Sequence, residues 1–207
     1  MMFPTGLSRL RLFPNWVIND ARENSGFTWQ TEDEDPYWLG DASTKKLSSV
    51  LLADWEGFVA EAIGKTLVID VVDPVFFMPS AYRAAAALPG GWNGTASVDN
   101  VENAWAPRAD GLPAGLMLRR GDRVGLVQSG YKTCHIVTKP INAATATNQV
   151  IEISPPLLPN LFGVGAQMVF LDPVVRMHIV PGSWSAPRVP NQDTIASFQL
   201  KEAAAQS

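Results

Sequence analysis

Leu116–Thr138 reads LMLRRGDRVGLVQSGYKTCHIVT, and its reading decides the fold. Gly121-Asp122 and Ser129-Gly130 are turn pairs, and RVGLVQ and YKTCHIVT between and after them are short strand texts. The same grammar continues to the C-terminus. Strands are expected near 116–119, 123–128, 131–138, 149–153, 167–171, 174–181 and 193–202, separated by Ala143–Asn148, Pro155-Pro156 and Pro181-Gly182 among others. Seven short strands between turns predict a small antiparallel barrel or sandwich.

Upstream of that stretch the text changes. Residues 79–115 contain PGGWNG and PRADGLPAG, and read as a long Gly/Pro-rich loop with the character of an arm. Before it, TLVIDVV at Thr66–Val72 is a strand by its β-branched content. From Lys46 to Ile63 the apolar residues Leu47, Val50, Leu51, Trp55, Phe58, Val59, Ala62 and Ile63 recur at offsets of three and four, which predicts one helix. Gly64 suits the C′ position, and Gly57 inside the helix suggests close packing against a sheet. Residues 1–42 read as irregular, with short strands near 7–12, 27–31 and 37–43 and an acidic run Glu32-Asp33-Glu34-Asp35 stopped by Pro36. The expected fold is α+β and β-dominated: a small antiparallel barrel or sandwich, one helix packed on a sheet, and a long loop. It is read as one domain over 1–207, in which a hairpin, helix and strand occupy 1–78, the loop 79–115 and the β region 116–207.

Composition excludes several classes. The 207 residues are 46% hydrophobic and 17% charged, which is incompatible with a disordered chain. A net charge of −4 disfavours a protein that grips nucleic acid through phosphates. Cys134 is the single cysteine, so no intrachain disulfide forms, and a reducing compartment suits it. The first residues lack the apolar core of a signal peptide, and no window holds roughly 18 uninterrupted apolar residues, so no membrane insertion is expected.

Motifs of catalysis are missing from the text. There is no G-x-S-x-G elbow, no phosphate loop and no C-x-x-C. Cys134 and His135 are neighbours in a strand and point to opposite faces, so they do not form a nucleophile pair. Cys134 reads as a small core residue, and His135 and His178 as ordinary strand histidines. The run 32–35 lacks the spacing of a calcium loop and reads as solvated. No catalytic residue, cofactor or metal ligand is assigned. Seven tryptophans are many for this length. Trp92 and Trp105 fall in the loop 79–115, where they read as intersubunit contacts or as platforms for a sugar.

The order of segments resembles a phage distal tail protein, the adaptor at the tail tip. The residues that carry it are Leu118, Gly121 and Asp122; Ile136 and Val137; Ile153, Pro155, Pro156 and Leu157; Gly163 and Gly165; Pro173 and Arg176; Trp184; and Phe198, Glu202 and Ala203. Upstream, Trp29 to Trp38, Trp55, Gly64 and Leu67–Val72 follow the same order, so the likeness covers roughly residues 27–204. It implies a structural virion protein and not an enzyme, made in the host cytoplasm and placed at the tail tip. It also implies a homo-oligomeric ring, generally hexameric, between tail tube protein and tail hub protein, with DNA passing through the ring without specific binding. A chain of this length has a radius of gyration of about 17 Å, and six such bodies enclose a hole of roughly one body's width. The acidic run Glu32, Asp33, Glu34 and Asp35 is then the candidate channel lining, since it repels phosphates. Two rival readings remain. One is a carbohydrate-binding module using Trp92 and Trp105. The other is a hydrolase assembled from scattered residues around His178 or Cys134.

Overall fold

The computed structural model describes residues 3–22, 28–142, 144–188 and 192–203; the side chains of 17–22 and 28–34 are outside that description. The order of elements is β1 (Leu7–Arg22), β2 (Thr28–Thr44), α1 (Ser49–Gly64), β3 (Ile69–Val72), β4 (Thr95–Asn100), β5 (Arg108–Asp110), β6 (Arg123–Gln128), β7 (Tyr131–Val137), β8 (Gln149–Val150), β9 (Ile153–Ser154), β10 (Gln167–Val169), β11 (Val174–Ile179) and β12 (Ser197–Glu202). The protein is β-dominated, with one α-helix and two curled antiparallel sheets among the described residues. One sheet runs β1-β2-β12-β11-β3 and the other β8-β5-β4-β10-β6-β7-β9.

By their contacts the described residues divide into two compact units, those up to Ile69 with those from Met177 onward, and Asp70–Arg176. Both passages between units fall inside strands, β3 and β11. The units are therefore assembled from different segments than 1–78, 79–115 and 116–207.

In the first unit the period-2 pattern of the strands makes the core. Leu10 and Leu12 of β1, Trp38 and Ala42 of β2, and Phe198 and Leu200 of β12 are buried on one face. α1 lies on that face through Trp55, Phe58, Val59 and Ala62. Trp55 is 0% exposed and sits among Phe3, Phe58, Trp184 and Phe198, with ring centroids 5.6–6.2 Å apart. Aromatic residues of this size dominate the burial of apolar area. The Trp55 indole nitrogen donates to the Thr5 carbonyl at 3.0 Å.

The helix differs from its expectation at both ends. It starts at Ser49 and leaves Val50 76% exposed, so the true apolar face excludes that residue. Gly64 is the last helical residue, and Thr66 takes the left-handed position at φ 50°. The Thr66 and Leu67 amides close back on the carbonyls of Ile63 and Ala62, which is the double-bonded Schellman stop. A Cβ on Gly57 would meet nothing within 4 Å, so close packing is not the reason for that glycine.

In the second unit the segment 79–115 is not an arm. Two 3-10 turns lead into β4 and β5, which are inner strands of the seven-stranded sheet. Ala96, Val98, Ala109 and Leu112 from this segment belong to a core with Leu118, Leu126, Val137, Ile151, Met168 and Phe170. TASVDN alternates small apolar and polar residues, and the flanking glycines and prolines masked that strand period. Conversely, 116–119 is not a strand: Leu118 makes a single bridge to Ile141. The Asp122 carboxylate holds this stretch as a turn, accepting from the Arg119 amide at 2.7 Å and from the Ser80 amide at 2.8 Å.

Candidate functional site

The feature with most functional content is the β1–β2 hairpin. Its register runs from Leu7 opposite Thr44 to Arg22 opposite Thr28. The expected strands 7–12, 27–31 and 37–43 are thus pieces of two strands of 16 and 17 residues. The strands accommodate two prolines, Pro14 and Pro36. Pro14 lies on the edge strand, where a missing N–H costs no ladder bond. Pro36 falls at the register irregularity between the Asn15 and Val17 pairings.

β12 pairs with β2 only from Leu39 to Ser43. Past that point β1 and β2 continue, paired with each other alone among the described residues. From Asn15 opposite Tyr37 to Arg22 opposite Thr28 the ribbon covers eight residues of β1, a reach of about 26 Å. Both of its edges carry backbone groups that no other described strand takes up. The base of the hairpin is tied in: the Trp38 amide donates to Glu202 at 2.9 Å, and the Lys201 ammonium stands 4.4 Å over the Tyr37 ring.

The acidic run lies on this ribbon. Glu34 is opposite Val17 and Glu32 opposite Ile18 in the backbone register. The side chains of Glu32, Asp33 and Glu34 are outside the described residues; Asp35 is exposed.

The two loop tryptophans separate. Trp92 is half-buried, donates its indole N–H to the Thr95 carbonyl at 2.8 Å and packs 5.3 Å from Phe170. Trp105 stands in the β4–β5 connection and is 43% exposed. Around that connection Asn100 donates to Glu102 at 3.1 Å and Arg108 to Asn148 at 3.2 Å.

The titratable candidates are dispersed. Cys134 is buried at 4% exposure. His135 is equally enclosed, its Nδ1 2.8 Å from the Pro155 carbonyl, and burial lowers its pKa to about 4. It is a neutral donor at physiological pH, with no carboxylate to orient it as a base. His178 is partly buried beside Lys201, and both burial and that charge lower its pKa. A buried cluster with no counterpart in the sequence pattern lies in the second unit. Arg83 and Arg123 stand over the Phe76 ring at 5.0 and 4.7 Å from its centroid, with Arg83 Nη2 3.8 Å from Asp122. Burial lowers the Arg123 pKa, partly offset by Cys134 and Asp73. These groups border the turn at Asp122. An open groove of about 690 Å³ beside α1 is crossed by the Glu56–Arg188 ion pair at 2.5 Å and gathers no nucleophile with a base. Among the described residues no group of three His, Cys, Asp or Glu is placed to hold a metal.

No protein-family model matches the chain, and no curated protein matches it in sequence.

Proposed function

We propose that this chain is a structural ring subunit at the distal end of a long phage tail, joining tail tube to hub around the DNA path, and not an enzyme. The observation that carries the proposal is the ribbon that overruns its sheet. A two-stranded hairpin alone in water is marginally stable, and open strand edges invite association. A ribbon about 26 Å long that its own sheet does not use is explained by a neighbour that does. An arm on one copy and a receiving surface on the next make a heterologous contact, and such contacts close into rings. The resemblance in segment order supplies the tail tip as the place, with tube and hub proteins as neighbours.

Electron microscopy of the purified full chain, alone and with tail tube protein, tests this. Rings with a central hole, free or capping tubes, are expected. Monomers under both conditions would end the proposal.

A second reading is favoured by Trp105 alone: a sugar platform beside Asn100, Glu102 and Arg108. Trp92, half-buried against Phe170, offers less of its ring. Quenching or shift of tryptophan fluorescence by a glycan, lost in Trp105→Ala and kept in a monomer, would favour it.

A further inference from the structure

We propose that the ribbon of one copy lies across the outer face of the β1-β2-β12 strands of the next copy, an acidic arm on a basic face. This rests on the ring reading and names the surfaces that make the ring.

Charge in the sequence is segregated. Residues 15–37 contain six acidic residues and one arginine, a net of −5. The other 184 residues carry fifteen Lys or Arg and fourteen Asp or Glu, a net of +1. The acidity of the chain is therefore carried by residues 15–37.

The receiving face follows from the burial pattern. Leu10, Leu12, Ala42, Phe198 and Leu200 point to the core, so the alternation turns Arg9, Arg11 and Lys201 to the opposite face. All three are exposed. Phe13 and Leu39, half-buried and opposite one another, lie on the same face and give it apolar ground. Asp41, opposite Arg11, is the acid there and leaves the face net positive. The Arg11 guanidinium is 5.6 Å from the Phe13 ring, which keeps it over the sheet. Strands lie about 4.8 Å apart, so the ribbon is long enough to cross all three.

The contact is between copies for a geometric reason. β1 and β2 form part of this face and continue past the end of their pairing with β12 into the ribbon, through register shifts between Asn15 and Ile18. A second copy presents the same face unobstructed. Opposite potentials then steer encounter and fix which surface meets which. The acidic run becomes an intersubunit element in place of a channel lining.

The test uses two variants of the full chain. One reverses the ribbon: Glu32→Lys, Asp33→Lys, Glu34→Lys and Asp35→Lys. The other reverses the face: Arg9→Glu, Arg11→Glu and Lys201→Glu. Mass is measured by light scattering, with circular dichroism to verify folding. Each variant alone should lose the ring at least tenfold in population, and an equimolar mixture should recover it as an alternating ring. A ring from either variant alone overturns the proposal; with the ribbon reversed it returns the acidic run to the channel. A mixture that stays monomeric also overturns it. If the wild-type chain forms no ring, the ring reading itself fails. Should a multiple variant not fold, Asp35→Lys and Arg11→Glu are mixed and read the same way.

Discussion

The two halves of the β1–β2 hairpin share two strands, are separated by register shifts between Asn15 and Ile18, and differ in what surrounds them. The lower half is enclosed. Leu10, Leu12, Trp38, Gly40 and Ala42 are buried, β12 pairs along β2, and α1 covers the inner face. A Cβ added at Gly40 would come within 2.9 Å of Leu12 Cδ2 and 3.2 Å of Leu200 Cβ. The upper half pairs with no further described strand. Within one pair of strands, then, the fold uses the first half for its core and extends the second beyond it. Substitutions in the lower half should be felt as stability, and changes in the upper half as assembly.

The largest stability effect belongs to Trp55→Ala. Removing a fully buried indole from the aromatic cluster should cost about 3–5 kcal/mol in chemical denaturation. A loss under about 1 kcal/mol would show that the lower half is not the core. Next comes a pH effect that limits where the comparison is read. The fold holds His135 neutral, with a pKa of about 4 against 6.5. Stability is full above pH 6.5 and falls as pH drops toward 4, because the unfolded chain takes up the proton first. The total is about 3 kcal/mol, and His135→Gln should flatten the slope. Assembly should therefore be measured above pH 6.5, where losing the ring is not losing the fold. Gly40→Ala should overpack the sheet and cost about 1–3 kcal/mol, seen as a lower Tm. The smallest effects are gains on the helix. Gly57→Ala meets open space and should stabilise by about 0.5–1 kcal/mol. Thr66→Gly relieves a β-branched residue at φ 50° and should gain about 1 kcal/mol.

What the sequence made legible follows the same division. Turn pairs bracket the strands at 123–128 and 131–137, and a period of 3.6 marks the helix, which buries one face. Two kinds of signal misled. Pro36 reads as a stop, yet a register irregularity absorbs it, so two long strands look like three short ones. Gly and Pro around Thr95–Asn100 read as loop, although the alternation of Ala96 and Val98 with polar residues was present. The overrun of the ribbon was not legible at all. It depends on where β12 stops pairing with β2, and that is set by residues about 160 positions apart. Of the candidate residues, Trp92 had a readable companion in the apolar strand 167–170, whereas the Arg83–Phe76–Arg123 stack joins segments with no local pattern.

The most direct test removes the upper half of the hairpin and keeps the lower. Residues 15–37 are replaced by an Asn-Gly turn between Pro14 and Trp38, and mass and melting temperature are compared with the full chain. A ring is expected from the full chain, and from the shortened chain a monomer of unchanged fold with Tm within a few degrees. A ring from the shortened chain, or its failure to fold, would contradict the division of the hairpin into a core half and an assembly half.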